Sequence, residues 1–468
     1  MTAPPAPSAC TLVLGLGRFG GGVGAARFLH RRGAAVRIAD RAPAADLEDS
    51  QRLLADLDGV DWQLGREDLG LLEGVDRVVV NPGVPDGNPV LQAARERGLA
   101  VTQEVDLFLL HYPGKVVAVT GTNGKSSTAT LLHAALQRAG FDALLGGNIG
   151  HSLLDDEARW RPDQIAVLEV SSFQLERLGD RPRVLGAVLT RVLRDHVDRH
   201  GSLAAYHAAK ARLPQVATGF CVHAADDPVA AAFPTPARRV LFATEPPQPD
   251  SCGIADGWLV ARLGEGPAAR LLHTSAMRLL GEFQRENALA AGAAALLLGA
   301  APQPVGLALA SAAPLPFRLQ LIAVHDGVRI YDNGVSTEIE STRSALGAID
   351  GPIRWVAGGK SKDGDYRAVA AATGGRIASA HLFGAAAAPL ARELPTALPT
   401  ALPVTVDDRL TAALDHALAA CRPGDALLFS PAFASFDQYP NFRARALEFH
   451  RWLAALRQPR ADAATAAR

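Results

Sequence analysis

The stretch VVAVTGTNGKSSTATLL, Val116 to Leu132, constrains the fold of this chain more than any other. Val116 to Thr120 is a β-branched run suited to a buried strand. Ser126 to Ala139 has helical periodicity, with Leu132 and Leu136 on one face and Gly140 just past the end. Between them lies Thr120-Gly121-Thr122-Asn123-Gly124-Lys125-Ser126. A strict phosphate-binding loop, G-x-x-x-x-G-K-[ST], would place glycine at Val119, yet every residue that touches phosphate is kept. A glycine-rich turn from strand to helix aims backbone N–H groups and the positive helix end at an anion. Lys125 then reaches terminal phosphates, Ser126 ligates Mg²⁺ and Ser127 follows in the first turn. The bland alternative is an ordinary Gly/Ser turn, which a Gly-Lys-Ser triplet closing a strand and opening a helix argues against.

A chain of 468 residues implies two to four domains. With 48% hydrophobic residues and a formal net charge of -1, it has no field that favours nucleic acid or an anionic membrane, so a small-molecule enzyme fits better. Cys10, Cys221, Cys252 and Cys421 lie far apart, without metal-type spacing, which suits free thiols in a reducing compartment. The opening MTAPPAPSAC has no basic residue, so neither a secretory nor a transit signal is expected and the cytoplasm is the expected location. No charged residue occurs between Glu286 and Arg318, but Pro302, Pro304, Pro314 and Pro316 break the stretch before it can span a bilayer. A buried helix over Asn287–Ala301 is expected instead. Leu394 to Pro403 reads as a low-complexity loop and the tail after Leu456 as frayed.

Three segments alternate strands with helices, which makes the fold class α/β. The first opens with a strand to Leu14, Gly15-Leu16-Gly17-Arg18-Phe19-Gly20 starting a helix, and a second strand ending at Asp40. This dinucleotide fingerprint suits a nucleotide-sugar diphosphate as well as NAD. Asn81-Pro82-Gly83 follows a strand end, where such sheets bind ligands. In the second segment Asn148 follows a strand in a glycine-rich turn. Glu169 ends the buried run IAVLE beside the phosphate loop, a natural place for a Mg²⁺ partner. LRDHVDRH supplies Asp195, His196, Asp198, Arg199 and His200, as metal-site parts or as a charged loop; Lys210 falls on a helix, where simple solvation is the default. In the third segment, strands ending at Asn333, Gly359 and Ser430 lead into polar loops that carry Lys360, Lys362 and Ser435.

Taken in order, TGTNGKSS, GGNIG, SSFQLE, DHVDRH, AAK, GGKSKDGDY and SPAFASFDQYPNF resemble the Mur ligase family over nearly the whole chain, and SSFQLE points to its glutamate-adding branch. The resemblance implies three domains: residues 1-110, Rossmann-like, for the UDP-sugar; 111-312, a central P-loop domain, for ATP; and 313-468, Rossmann-like, for glutamate. It implies an ATP- and Mg²⁺-dependent ligase, a monomer without nucleic-acid or membrane partners, that adds glutamate to UDP-N-acetylmuramoyl-L-alanine through an acyl phosphate. The catalytic set is then Lys125, Glu169, His196, Lys210 and Arg318. The metal ligands are Ser126, Glu169, His196 and a carbamylated Lys210. ATP falls to Gly121, Thr122, Asn123, Gly124, Lys125, Ser126, Ser127, Asn287, Arg318, Asp332 and Asn333. Gly17, Arg18, Phe19, Asp40, Arg41 and Gly83 hold the uridine diphosphate, and Asn148 with Ser171 the muramoyl-alanine end. Asp195, Thr337, Lys362, Ser435 and Phe442 face the incoming glutamate.

Several positions depart from the family pattern. Asn-Asp-Ser-Lys-Ala-Thr has become Asp332-Asn333-Gly334-Val335-Ser336-Thr337, which moves an acid by one place and removes a lysine. Gly281-Glu282-Phe283-Gln284-Arg285-Glu286-Asn287 alters the adenine-side motif. Phe317 replaces a histidine, and Arg191 an asparagine. These changes leave open an altered acceptor such as L-glutamate. A dinucleotide-dependent oxidoreductase and a nucleotide-sensing module are the alternatives from other classes.

Overall fold

The computed structural model describes residues 10–17, 20–180, 182–362, 364–397 and 402–457, and their strands form three sheets. By contact the chain divides into two units, residues 1–277 with 285–312, and residues 278–284 with 313–468. The first two sheets belong to the first unit and the third to the second.

The first sheet runs Asp61–Leu64, Ala35–Asp40, Cys10–Leu14, Val75–Val80, Ala100–Thr102, all parallel. Its two central strands run into the buried apolar stretches Leu12–Leu14 and Val78–Val80, which are covered on both faces. Leu12, Leu14, Val78 and Val80 pack to one side against Val90 and Leu91, whereas Val13 and Val79 pack to the other against Val23 and Phe28. The period of two in side-chain direction thus divides VVV between two cores.

The second sheet runs Ala269–His273, Trp258–Arg262, Ser251–Ala255, Arg238–Phe242, Ala217–Ala224, Val184–Leu189, Lys115–Thr120, Ile165–Glu169, Ala143–Gly147. It is parallel except for the antiparallel pairings at its Ala269–His273 end. The expected strand and helix around the phosphate loop appear as Lys115–Thr120 and Lys125–Arg138, with Leu132 and Leu136 buried. The charge-free stretch holds two helices, Glu282–Leu297 and Pro302–Ser311. The first starts five residues before the expected Asn287, because its polar opening turn hides the onset in sequence. It stops short of Ala301 because Gly299 takes a left-handed conformation at φ 94. Its alanines from Ala288 to Ala295 are buried on every side, which accounts for the missing charge. Among the described residues no helix is long and apolar enough to cross a membrane.

The first two sheets share one core. Phe28, Phe108, Tyr112 and Trp160 meet ring to ring, and Arg32 pairs with Glu157 across the junction.

The third sheet runs Gln320–His325, Val328–Asp332, Ala426–Ala432, Ile353–Gly358, Ile377–Phe383, Val404–Asp407, with only its first pair antiparallel. Ser430 lies inside its strand rather than at the end: Trp355 Nε1 donates to its carbonyl at 2.9 Å, and pairing continues to Ala432. The helix Ala387–Ala397 runs through Pro395 into the expected loop, while residues 398–401, 458–468 and the opening tail lie outside the described residues.

Candidate active site

The phosphate loop is held open by what surrounds it. Gly124 caps its helix at φ 84, and a Cβ there would lie 2.3 Å from Asn287 Oδ1; a Cβ on Gly121 would lie 1.8 Å from Thr190 Oγ1. Only glycine lets the loop pass between these side chains. Thr122 N donates to Arg191 O at 2.6 Å, Thr190 Oγ1 donates to Asn123 O, and Thr128 Oγ1 donates to Asn287 Oδ1 at 3.2 Å. Lys125 Nζ folds back to Thr122 O at 2.7 Å and Gly121 O at 3.1 Å. Ser126 and Ser127 lie in the first helical turn. The departure at Arg191 is structural: its guanidinium pairs with Glu286 and Asp226, tying the strand end beside the loop to the helix that carries Asn287.

Glu169 is buried where its strand ends. Asn148 Nδ2 donates to its Oε1 at 3.0 Å, while Oε2 is buried without a hydrogen-bond partner. A buried, half-satisfied carboxylate beside a phosphate loop suits a hard cation such as Mg²⁺. Lys210 is 1% exposed, so the solvated helix lysine does not describe it. Its Nζ donates to Thr120 Oγ1 at 3.3 Å and lies 5.0 Å from the Tyr206 ring centre, while the Tyr206 hydroxyl meets Thr122 Oγ1 at 2.7 Å. Burial, then the charge of Lys125, holds its ammonium well below the ordinary lysine range.

His196 adopts a left-handed backbone at φ 49. Its Nε2 lies 3.2 Å from Asp195 Oδ2, and its ring packs on Phe173. Ser171 caps the helix Ser172–Glu176 in a box with Gln174, a start signal that the reading of SSFQLE for function passes over. Among the described residues no three His, Cys, Asp or Glu side chains form a metal-holding group. The expected metal set draws instead on a serine, one carboxylate, one imidazole and Lys210.

In the first sheet Gly17, Asp40, Arg41, Gly83 and the expected turn residue Asn81 line one cavity of about 140 Å³, joined by Arg66, Glu67 and Asn88, which sequence did not single out. Asp40 accepts from Gly17 N at 3.1 Å and Ala42 N at 2.9 Å. Arg18 and Phe19 lie outside the described residues. The turn that carries Gly83 is anchored from the second sheet: Arg177 donates to Asn81 O and Val84 O and pairs with Asp86, and Arg199 donates to Pro82 O.

In the second unit, Arg318 sits between two residues of positive φ, Phe317 at 64 and Leu319 at 48, in a kink that Val335 N holds by donating to Phe317 O. Asp332 is fully buried, accepting from Gly334 N at 2.7 Å and from His450 Nε2 at 2.6 Å. Asn333 Nδ2 donates to Ser430 Oγ at 3.0 Å. Lys362 pairs with Glu338, which follows Thr337; Ser435 is buried, and Phe442 opens the last helix. Arg445, on that helix, is fully buried and donates to Gly358 O, Phe433 O and Ser336 O, one carbonyl beside each loop expected to face glutamate. Burial draws its guanidinium down to about 10. The expected ATP residues thus occur in both units, with Gly121 to Ser127 and Asn287 in the first and Arg318, Asp332 and Asn333 in the second.

Residues 9–103 match the model of the Mur ligase MurD-like N-terminal domain, and residues 119–295 that of the Mur ligase middle domain. The UDP-N-acetylmuramoylalanine--D-glutamate ligase of Geobacter metallireducens is 36% identical over 94% of this chain and 95% of its own. The chain belongs to the Mur ligase family. The ligase of the same name from Acidobacterium capsulatum is 35% identical over 94% of each chain. In fold, this Mur ligase is similar to a pseudomurein peptide ligase type C from Methanothermus fervidus, with a TM-score of 0.62 at 18% identity, covering 96% of this chain and 100% of that one.

Proposed function

We infer that the chain is an ATP-dependent ligase that joins glutamate to the L-alanyl carboxylate of UDP-N-acetylmuramoyl-L-alanine in peptidoglycan synthesis. The observation that carries this reading is the juxtaposition of a glycine-framed phosphate loop, buried Lys210 and half-satisfied Glu169, in a chain that aligns end to end with glutamate-adding ligases. A carboxylate is a poor electrophile because its leaving group would be oxide. Phosphorylation by ATP replaces that with phosphate, and the glutamate amine then displaces phosphate through a tetrahedral intermediate.

Bringing phosphate and carboxylate together requires positive charge at the reacting oxygens. Lys125 supplies part of it once its Nζ leaves the loop carbonyls for the γ-phosphate, and Arg318, by its match to the family's arginine, supplies another part. Ser126, Glu169, His196 and carbamylated Lys210 are the residues that would hold Mg²⁺, which neutralises phosphoryl oxygens when bound. The neutral amine adds CO₂, and burial favours that form of Lys210. Asp40, Arg41 and Gly83 hold the uridine diphosphate, with Arg18 and Phe19 from the same fingerprint. Asn148 and Ser171 orient the muramoyl-alanine end, and Asp195, Thr337, Lys362, Ser435 and Phe442 the amino acid.

The division of labour follows the chain, residues 1-110 for the UDP-sugar, 111-312 for ATP and 313-468 for glutamate, in a cytoplasmic monomer. The test is phosphate release and product formation by purified protein with UDP-N-acetylmuramoyl-L-alanine, ATP and each glutamate enantiomer. The relatives are D-glutamate ligases by name; Val335 at the family's lysine position and Glu338 on Lys362 favour a retuned acceptor pocket, so the L-enantiomer is the informative second arm. ATP turnover with neither enantiomer would overturn the reading.

A further inference from the structure

Lys362, assigned above to the incoming amino acid, already holds a carboxylate, that of Glu338. Both backbones are fixed. Ser336 Oγ donates to the Glu338 carbonyl at 3.2 Å, and Ser336, Thr342 and Ser430 form a buried hydroxyl chain with steps of 2.8 Å beneath that loop. On the opposite side Lys360 and Ala434 exchange backbone hydrogen bonds at 2.8 and 3.1 Å, and Arg445 holds Gly358 O at 3.1 Å, so the lysine loop is tied to the sheet as well. The pairing itself is made by the two side chains. They are 47% and 37% exposed, which makes the pair reversible rather than a buried, permanent contact. The neighbouring Gly334-Val335-Ser336-Thr337 brings no other charge.

We propose that Glu338 determines the charge selectivity of the amino-acid pocket, holding Lys362 as an internal counter-carboxylate that the acceptor's carboxylate must displace. The inference rests on the assignment of Lys362 to the acceptor site. Glutamate bound at Lys362 meets the expelled Glu338 as a like charge, so the chain binds its acceptor more weakly than the lysine alone would allow. An uncharged acceptor cannot displace Glu338 at all.

The experiment compares Glu338→Gln, Lys362→Met and the double variant with wild-type protein, measuring KM for glutamate, for ATP and for the muramoyl nucleotide. Glu338→Gln lowers KM for glutamate about two- to fivefold, the equivalent of one half-exposed ion pair, and leaves the other two constants and kcat in place. The gain shrinks at high salt. Lys362→Met raises KM for glutamate, and adding Glu338→Gln to it lowers KM less than in the wild type, because the lysine that Glu338 covers is gone and only the like-charge repulsion is relieved. A glutamate KM that is unchanged or raised in Glu338→Gln, with Lys362→Met impaired, overturns the proposal alone. An unimpaired Lys362→Met overturns the assignment of Lys362 and the proposal with it. Glu338→Ala, with thermal unfolding alongside, repeats the sign without the glutamine amide, since a merely structural loss would not tighten binding.

Discussion

Lys210 Nζ and Thr120 Oγ1 lie 3.3 Å apart at the foot of the phosphate loop, a buried amine against a neutral hydroxyl. A plain ammonium here opposes Mg²⁺, whereas a carbamate reverses its charge and can ligate the metal. Lys210→Ala is therefore expected to be nearly inactive and to recover in part with short-chain carboxylic acids, which fill the space left. Lys210→Arg keeps both the bulk and the charge and recovers less. Full activity of Lys210→Ala without added acid would remove the residue from the site.

Lys125→Ala takes a cation from a loop and nothing from a core. Turnover should fall at least about 10²-fold, as when a transition-state contact is lost. The unfolding midpoint should stay in place, and a well-folded variant with near-normal turnover would rule out the loop's role.

Glu169→Gln keeps an acceptor for Asn148 but removes the charge. The variant should fold as well as the wild type, since it loses only a carboxylate with one unsatisfied oxygen. Its turnover should respond weakly to Mg²⁺, and a chelator that silences the wild type should change the variant little. An undiminished Mg²⁺ response in Glu169→Gln would take this carboxylate out of the metal set.

The phosphate loop was legible because strand, turn and helix are neighbours in sequence, and each announces itself by periodicity or by glycine. VVV at Val78 to Val80 likewise signals a strand covered on both faces. Arg445 announces nothing: its three carbonyl partners, Ser336, Gly358 and Phe433, lie far apart in sequence, and one arginine among four on a charged helix reads as surface. Glu338 and Lys362 are 24 positions apart, with no pattern joining them. The start of the Glu282 helix was hidden because polar first turns look like loops until the fold covers their partners.

Arg445→Met tests the buried guanidinium. Removing it frees three carbonyls and slackens the loops of Glu338, Lys362 and Ser435 together. KM for glutamate should rise at least about tenfold while KM for ATP moves far less, a split that general unfolding would not produce. Equal rises in both constants would reduce Arg445 to a packing element.

Glu104, in the first turn of the helix Glu104–His111, gives a pH signature. Burial raises its carboxyl to about 7, against relief from the Ser152 hydroxyl that donates to it; Asp155 raises it further and His151 lowers it. The folded state therefore binds a proton more tightly than the unfolded state, whose ordinary value is 4.5. Stability from this group is full below 4.5, declines as pH rises towards 7 and stays reduced above it. Glu104→Gln should match the wild type in thermal midpoint at the acid end and exceed it above pH 7. A gap that does not grow with pH would contradict the burial.

Arg177 reaches 96 positions back along the chain to hold the carbonyl of Asn81. The turn with Gly83 is therefore held in part by a residue of the segment that matches the Mur ligase middle domain, and exchanging either matched segment alone would lose this contact. A chimaera that grafts the first domain of a relative onto this chain must carry a matching residue at 177, and second-site revertants of a damaged Asn81 turn should map to the segment just after SSFQLE.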